Sequence, residues 1–165
     1  MNIDGWKKFK ISDIFEVKKT KNIVAEEAMS NIGNDICYVT RTEFNNGVKH
    51  FVIKNFDNIE KSNSITIGGE GANVYYQPFD YVTGNNITKI YNKKLTENSG
   101  LFIVTLLNLE KYKYSYNRAF NKTFVEHTII LLPAKDNEPD WEYMENYIKK
   151  LREREIERVL NLLNN

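Results

Sequence analysis

A single cysteine, Cys37, stands among the 165 residues, so no intrachain disulfide can form. Such a chain fits a reducing compartment, and cytoplasmic residence is the expectation. Histidine is nearly as scarce. His50 and His127 are the only two, and neither stands in a spacing that would hold zinc with a cysteine or another histidine, so no metal site is expected. Long apolar runs are also missing, and no stretch is long and apolar enough to cross a bilayer. Residues 1–10 carry charge and lack an apolar signal-peptide core, so no signal peptide is expected. Neither charge sign is in excess: 23 Lys and Arg face 22 Asp and Glu, a formal net charge of +1. A free-standing nucleic-acid binder is usually more basic. The balance is uneven along the chain, with eight basic against five acidic residues over 61–133 and six against eight over 134–165. The middle can therefore face phosphates while the tail stays solvated, although charge runs of this size more often mark plain solvated surface.

Catalytic signatures are absent as well. There is no adenine-methyltransferase motif, no dinucleotide-binding fingerprint and no nuclease-like pair of carboxylates beside a lysine. The run Gly68-Gly69-Glu70-Gly71 lacks the Lys-Ser/Thr of a P-loop, and no helix clearly follows it. It reads as a tight turn that lets backbone approach either DNA or its own sheet. Cys37 lies in the apolar run Ile36-Cys37-Tyr38-Val39 and reads as a small packed side chain rather than a nucleophile. His127 reads as a satisfied structural histidine. The expectation is a chain that is not an enzyme.

What the sequence does have is β-forming material. Aromatic residues make up 13%, ten of them Tyr and nine Phe, and such side chains suit a pleated, half-buried surface. Strands are expected near 9–11, from Val17, and over 36–40, 48–53, 64–67, 73–77, 81–83, 87–91 and 128–133, the last stopped by Pro133. Ser12 or Asp13 would cap a helical turn after the first strand. Residues 22–30 form a short helix or loop. Asn45-Asn46-Gly47 and Gly84-Asn85-Asn86 are turn signals, the second leading from 81–83 into a strand that pairs on. An amphipathic helix occupies 95–111. The fold class is α+β: a curled, mostly antiparallel β domain with short helices, plus a long C-terminal helix.

That helix starts at Glu138-Pro139-Asp140-Trp141, with proline near its first position. Met144, Tyr147, Ile148, Leu151, Ile156, Val159, Leu160 and Leu163 keep one face apolar for about six turns at 3.6 residues each. The first two turns are expected to dock on the chain's own domain, anchored by Trp141. Leu151, Ile156, Val159, Leu160 and Leu163 are expected to meet a partner helix, because the helix outruns what a small domain can cover. This divides the chain into a globular part, 1–136, and a helix, 137–165.

Base reading in the major groove needs matched donors and acceptors. Arg matches guanine, and Asn or Gln matches adenine, each with two hydrogen bonds. Arg41, Asn45, Asn46, Gln77, Asn85 and Asn86 lie at expected strand ends or turns, where a rigid sheet can present them, and Lys49 follows the first turn. Asn46 reads first as a turn residue, since Asn before Gly serves the backbone. Arg41 and Gln77 lack that explanation. Between Lys111 and Lys122, basic and aromatic residues interleave. Lys113, Arg118 and Lys122 suit phosphates, and Tyr114 and Tyr116 suit DNA backbone or bases. The same run reads equally as an amphipathic connector with core tyrosines.

Three stretches together resemble the DNA-specificity subunits of type I restriction–modification systems. The first is the opening run from Trp6 to Phe15. The second comprises Tyr38-Val39-Thr40-Arg41, Asn45-Asn46-Gly47, Ile65-Thr66-Ile67-Gly68-Gly69, Tyr75-Tyr76-Gln77 and Gly84-Asn85-Asn86. The third is Leu132-Pro133 followed by the run from Glu138 to Ile148. The resemblance implies that 1–136 is a target-recognition domain and 137–165 a spacer or dimerisation helix. It further implies sequence-specific reading of double-stranded DNA. A separate methyltransferase subunit would bind S-adenosylmethionine and a separate restriction subunit would cut, so this chain would need no cofactor of its own. Such subunits usually carry two recognition domains and an antiparallel helix pair, whereas this chain has one of each. A half-length subunit that pairs with its own copy is one explanation; a truncated or phage-borne relative is another. A rival reading, a protein-interaction, inhibitor or assembly module docking through the helix, draws on the near-zero net charge. A small nuclease or other hydrolase is the weakest fit.

Overall fold

The structure is a computed structural model, and it describes residues 3–113 and 120–164. Strand β5 (Ser64–Gly68) is buried from end to end, and the other elements are arranged around it. With β1 (Trp6–Lys10) and β2 (Glu16–Lys19) preceding it, the chain also contributes β3 (Ile32–Val39), β4 (Val48–Val52), β6 (Val74–Gln77), β7 (Tyr81–Thr83), β8 (Ile87–Tyr91), β9 (Ile129–Lys135) and β10 (Glu138–Pro139). The helices are α1 (Ile11–Ile14), α2 (Ala25–Ser30), α3 (Glu97–Leu109), α4 (Lys122–His127) and α5 (Trp141–Leu163). The strands form three small sheets in the orders β2-β8-β5-β6, β4-β3-β7 and β1-β9-β10. All pairings in them are antiparallel except β3 with β7.

Side chains alternate across a strand. Ile65 and Ile67 therefore share a face with Val74, Tyr76 and Ile90 of the neighbouring strands. That face packs with Phe102, Ile103 and Leu107 of α3 into the larger core, which also takes in Ile11, Ile130, Leu132 and Met144. A smaller core joins α2 to the β4-β3-β7 sheet through Ala28, Ile36, Tyr38, Val52 and Val82. Between the two, the second face of β5 is polar yet buried. Ser64 bonds the Tyr81 hydroxyl at 3.0 Å, Thr66 accepts from Gln77 at 2.9 Å, and Thr83 donates to Thr20 at 2.7 Å. Burial among these groups raises the Tyr81 phenol, so it remains a neutral donor and acceptor.

Four local expectations are corrected. The first helical turn begins at Ile11 and has no side-chain cap; Ser12 and Asp13 lie inside it. The backbone does the capping work, with Ile11 N–H donating to Thr128 at 2.9 Å where β1 leaves β9. Residues 81–83 and 87–91 do not pair with each other. β7 joins β3 and β8 joins β5 and β2, so the turn between them carries the chain from one sheet to the next. Pro133 does not stop β9, which continues to Lys135. A strand residue points its N–H and C=O to the same side. The Pro133 carbonyl accepts from Asp140, so its missing N–H faces away from β1, and the β1–β9 ladder is intact. Finally, α5 is capped by Asp140, whose carboxylate accepts from Tyr143 N–H at 2.9 Å, while Pro139 belongs to β10.

α5 docks on α3 over its first turns. Met144 is fully buried, Trp141 meets Phe15 edge-on at 5.9 Å, and Tyr147 meets Phe102 at 5.5 Å. The Glu145 carboxylate accepts from the Thr96 hydroxyl, which caps α3, and from the Asn98 amide at 2.7 Å. Arg152 pairs with Glu97 at 2.5 Å. Beyond that pair the helix is exposed, including Ile156 at 59% and Val159, Leu160 and Leu163. Segment 152–163 projects about 18 Å at 1.5 Å per residue.

The Thr96 hydroxyl, followed by the Asn98 amide, holds the Glu145 carboxyl below the ordinary carboxylate range. A depressed acid stabilises the fold above its unfolded pKa and loses that effect as pH falls through its folded value. Glu145→Gln is therefore expected to cost about 1 kcal/mol at pH 7. The gap to wild type should close below about pH 4, as read from urea midpoints across pH.

Candidate nucleic-acid interface

Three connections converge at Gly69. Its N–H donates to the Asn86 carbonyl at 2.8 Å, and its own carbonyl accepts from Phe120 N–H at 2.7 Å. The β5–β6 loop is thus bonded to the β7–β8 loop and to the segment that enters α4. A Cβ at Gly69 would stand 3.2 Å from the Asn86 carbonyl, so glycine permits the approach. The glycine run accordingly serves the chain's own packing. Phe120 is fully buried beneath this junction.

The β3–β4 connection joins the same cluster. Asn45, Asn46 and Gly47 all have positive φ, at 50°, 56° and 79°, a run that Asn and Gly tolerate better than other residues. The turn is closed by Thr40 N–H to Gly47 at 2.8 Å, and the Asn46 amide donates to the Tyr76 carbonyl at 2.7 Å. Asn46 is thus a turn residue whose amide nitrogen is engaged. Gln77 lies directly below. It is 2% exposed and donates to the Asn46 carbonyl at 3.1 Å and to Thr66 at 2.9 Å. The expectation that Gln77 reads a base is corrected: its amide is turned inward and spent on holding the turn.

Arg41, at the end of β3, is partly exposed and pairs with Glu70. Asn73 donates to the Arg41 carbonyl at 3.3 Å, and Lys111 bonds the Asn73 side chain at 2.5 Å while lying 3.6 Å from Glu43. Asn45, Asn85 and Asn86 are exposed at the turns. A cleft of about 330 Å³ opens beside the junction, lined by Lys19, Gly69, Glu70, Asn86, Asn121 and Lys122 among others. Lys122 pairs with Glu126 at 3.0 Å.

The sequence-predicted residues are thus partly gathered. Arg41, Asn45, Asn46, Asn86 and Lys122 belong to loops bonded to one another or lining the shared cleft, with Asn85 beside Asn86. Lys49 is exposed on β4, two residues past the turn. Lys113 turns back onto Glu110 and the Tyr112 ring. Tyr114, Tyr116 and Arg118 lie outside the described residues. Sequence reasoning missed Glu70, Lys19, Lys111 and the 73%-exposed Phe44. Glu70 was hidden as filler in a glycine run, and Lys111 sat at an expected helix end.

Elsewhere, burial pushes the half-buried Cys37 thiol up, which disfavours the reactive thiolate. The His127 ring pairs with the Thr123 carbonyl at 2.8 Å. Among the described residues no group of three or more His, Cys, Asp or Glu is arranged to hold a metal, and no helix is long and apolar enough to cross a membrane.

This architecture is that of a recognition scaffold in restriction–modification specificity proteins. The S subunit of a type I restriction–modification system from M. genitalium matches with a TM-score of 0.64 at 14% identity, over 98% of this chain and 42% of that one. The HsdS subunit from Thermoanaerobacter tengcongensis matches with a TM-score of 0.60 at 10% identity, over 92% and 38%. In sequence, residues 3–161 match the family model for the type I restriction modification DNA specificity domain, and the chain belongs to that family. It is 33% identical over 153 residues to S.BcgI, the specificity subunit of a type II restriction enzyme from Heyndrickxia coagulans. The alignment spans 91% of this chain and 45% of that subunit, so the chain covers less than half the length of these relatives. Family membership bears out the resemblance carried by the three sequence stretches. It also identifies the chain as a specificity domain rather than a catalytic one.

If Gln77 positions the turn rather than reading DNA, Gln77→Leu should cost about 1–3 kcal/mol by removing the donor to the Asn46 carbonyl and to the Thr66 hydroxyl. Asn85→Ala, at an exposed side chain without a positive φ, should stay within about 0.5 kcal/mol of wild type. Urea unfolding of the two variants side by side checks both values.

Proposed function

We propose that this chain reads a specific double-stranded DNA sequence as the specificity module of a restriction–modification complex, directing a methyltransferase and an endonuclease to its target. The loop junction at Gly69 carries the proposal, because Asn86 and Lys122 line one cleft beside it, with Asn85 adjacent in the chain and Arg41 joined to the cleft wall through Glu70. In this reading Arg41 faces guanine, Asn45, Asn85 and Asn86 face adenine, and Lys49 and Lys122 face phosphates. Tyr114, Tyr116 and Arg118 are assigned to DNA contact on their residue types alone. The division of labour is 1–136 for recognition and 137–165 for assembly. S-adenosylmethionine belongs to a partner methyltransferase, a restriction subunit is a further partner, and the complex works in the cytoplasm.

The exposed stripe Ile156, Val159, Leu160 and Leu163 supports pairing of α5 with the helix of a second copy, Leu151 lying half-buried at its base. A second copy would supply the other recognition domain that the longer relatives have room for. The rival reading as a protein-interaction module has only the near-neutral charge behind it.

Selection from random duplexes, with and without a methyltransferase subunit, tests the function: enrichment of one sequence is expected, and uniform recovery would defeat it. Lys122→Ala should weaken binding evenly across sequences and flatten the salt dependence by about one unit. Val159→Glu with Leu160→Glu should abolish self-association in sedimentation while leaving the monomer folded by circular dichroism, since both side chains are exposed in the single chain. A variant that still sediments as a dimer would count against helix pairing.

A further inference from the structure

An acidic residue at the centre of a DNA-facing loop cluster repels phosphate, yet Glu70 stands there, on the wall of the cleft and in contact with Arg41. Resting on the DNA-reading function above, we propose that Glu70 is a positioning residue that orients Arg41 toward a guanine and withholds it from phosphates. Three contacts act on Arg41 together. Its carbonyl accepts from Asn73, which is itself nearly fully buried and bonded to Lys111. Its stem lies on Gly68, where a Cβ would come within 3.4 Å of Cγ. One guanidinium nitrogen, Nη1, is taken by the Glu70 carboxylate. The side chain nonetheless keeps 34% of its surface open, so part of the fork faces outward.

A guanidinium carries five N–H donors in a fixed plane. Fixing one edge with a carboxylate leaves the remaining donors aimed in a set direction, and guanine offers two acceptors, O6 and N7, that match such a fork. An unpaired arginine at the same place would swing among rotamers and settle on whatever phosphate came near, which binds every sequence alike. Glu70 adds discrimination in two ways. It lowers the entropy lost when the fork docks on guanine, and it penalises non-cognate complexes that bring only phosphate. Glu43, 3.6 Å from Lys111, neutralises the neighbouring cation in the same cluster.

The experiment uses the full chain, with its methyltransferase subunit if binding requires one, and two probes: the duplex enriched from a random pool by wild type, and a scrambled duplex of the same composition. Glu70→Gln is expected to bind the scrambled duplex more tightly and the enriched one less tightly, lowering their ratio about tenfold. Its salt dependence on the scrambled duplex should steepen by about one unit as Arg41 becomes free for phosphate. Glu70→Asp should recover part of the ratio. At one guanine of the enriched site, replacement by 7-deazaguanine should weaken wild type several-fold and leave Arg41→Ala unaffected. An unchanged ratio for Glu70→Gln, an equal loss on both duplexes accompanied by a lower melting temperature, or the absence of any guanine whose N7 matters only when Arg41 is present would each overturn the inference. A wild-type chain that enriches no sequence would defeat the DNA-reading function itself, and this inference with it. Enrichment by wild type with full discrimination kept by Glu70→Gln would defeat the inference alone.

Discussion

The polar seam on the second face of β5 sets the terms for everything above it. Ser64 with Tyr81 and Thr20 with Thr83 join the two sheets by hydrogen bonds in a water-poor interior, and Thr66 with Gln77 ties β5 to β6 beside them. An apolar seam could slide by fractions of an ångström at little cost. A hydrogen-bonded seam that slips strands buried donors and acceptors, each worth about 1–3 kcal/mol when left unsatisfied. The β3–β4 and β5–β6 loops emerge from the ends of this seam, and Gln77 belongs to both the seam and the turn. The accuracy of the loops is therefore inherited from the interior. Two-bond recognition of a base needs that accuracy, because a supporting shell loose by about 1 Å forfeits it.

The larger core extends the same rigidity to α5. Met144 is buried among residues that also cover the first face of β5, and the Glu145 carboxylate binds the start of α3. The loop rim and the projecting helix are thus mounted on shared packing, with no separate linker between them. Whatever meets the exposed stripe is held at a fixed bearing from the rim. A helix rises a constant 1.5 Å per residue, so its length is a measure of distance. That property suits a spacer between two recognition surfaces, as proposed for paired copies of this chain.

Much of this was legible locally. The strands, both Asn/Gly turns, α3 and α5 follow from composition and periodicity, because those features report on the backbone's own preferences. What was not legible depends on partners distant in the chain. The run 81–83 reads as one arm of a hairpin, yet its partner is β3, more than forty residues upstream. The effect of Pro133 depends on which neighbour its missing N–H would have faced, and that is settled only once β10 is in place. Gln77 and Arg41 look alike as polar residues at strand ends. One is sealed under a turn and the other stays partly open, a difference created by sheet packing rather than by neighbours in sequence. Glu70 was illegible for the same reason, since its meaning lies in an arginine from another connection, the one between β3 and β4.

The near-neutral charge, which at first favours a protein-binding module, has a physical account in the pairing of the cations around the loops. Arg41 has Glu70, Lys111 has Glu43, Lys113 has Glu110 and Lys122 has Glu126. A surface arranged this way gives up much of the sequence-independent attraction that phosphate neutralisation provides. Specificity is a difference between two affinities, so weakening the common part costs nothing in discrimination and reduces time spent on wrong sites. The lost attraction can be restored by a second copy and a methyltransferase acting on the same duplex, since linked modules multiply their binding without new contacts. A neutral recognition domain therefore makes physical sense when it works within an assembly, where the whole supplies affinity and this chain supplies the choice.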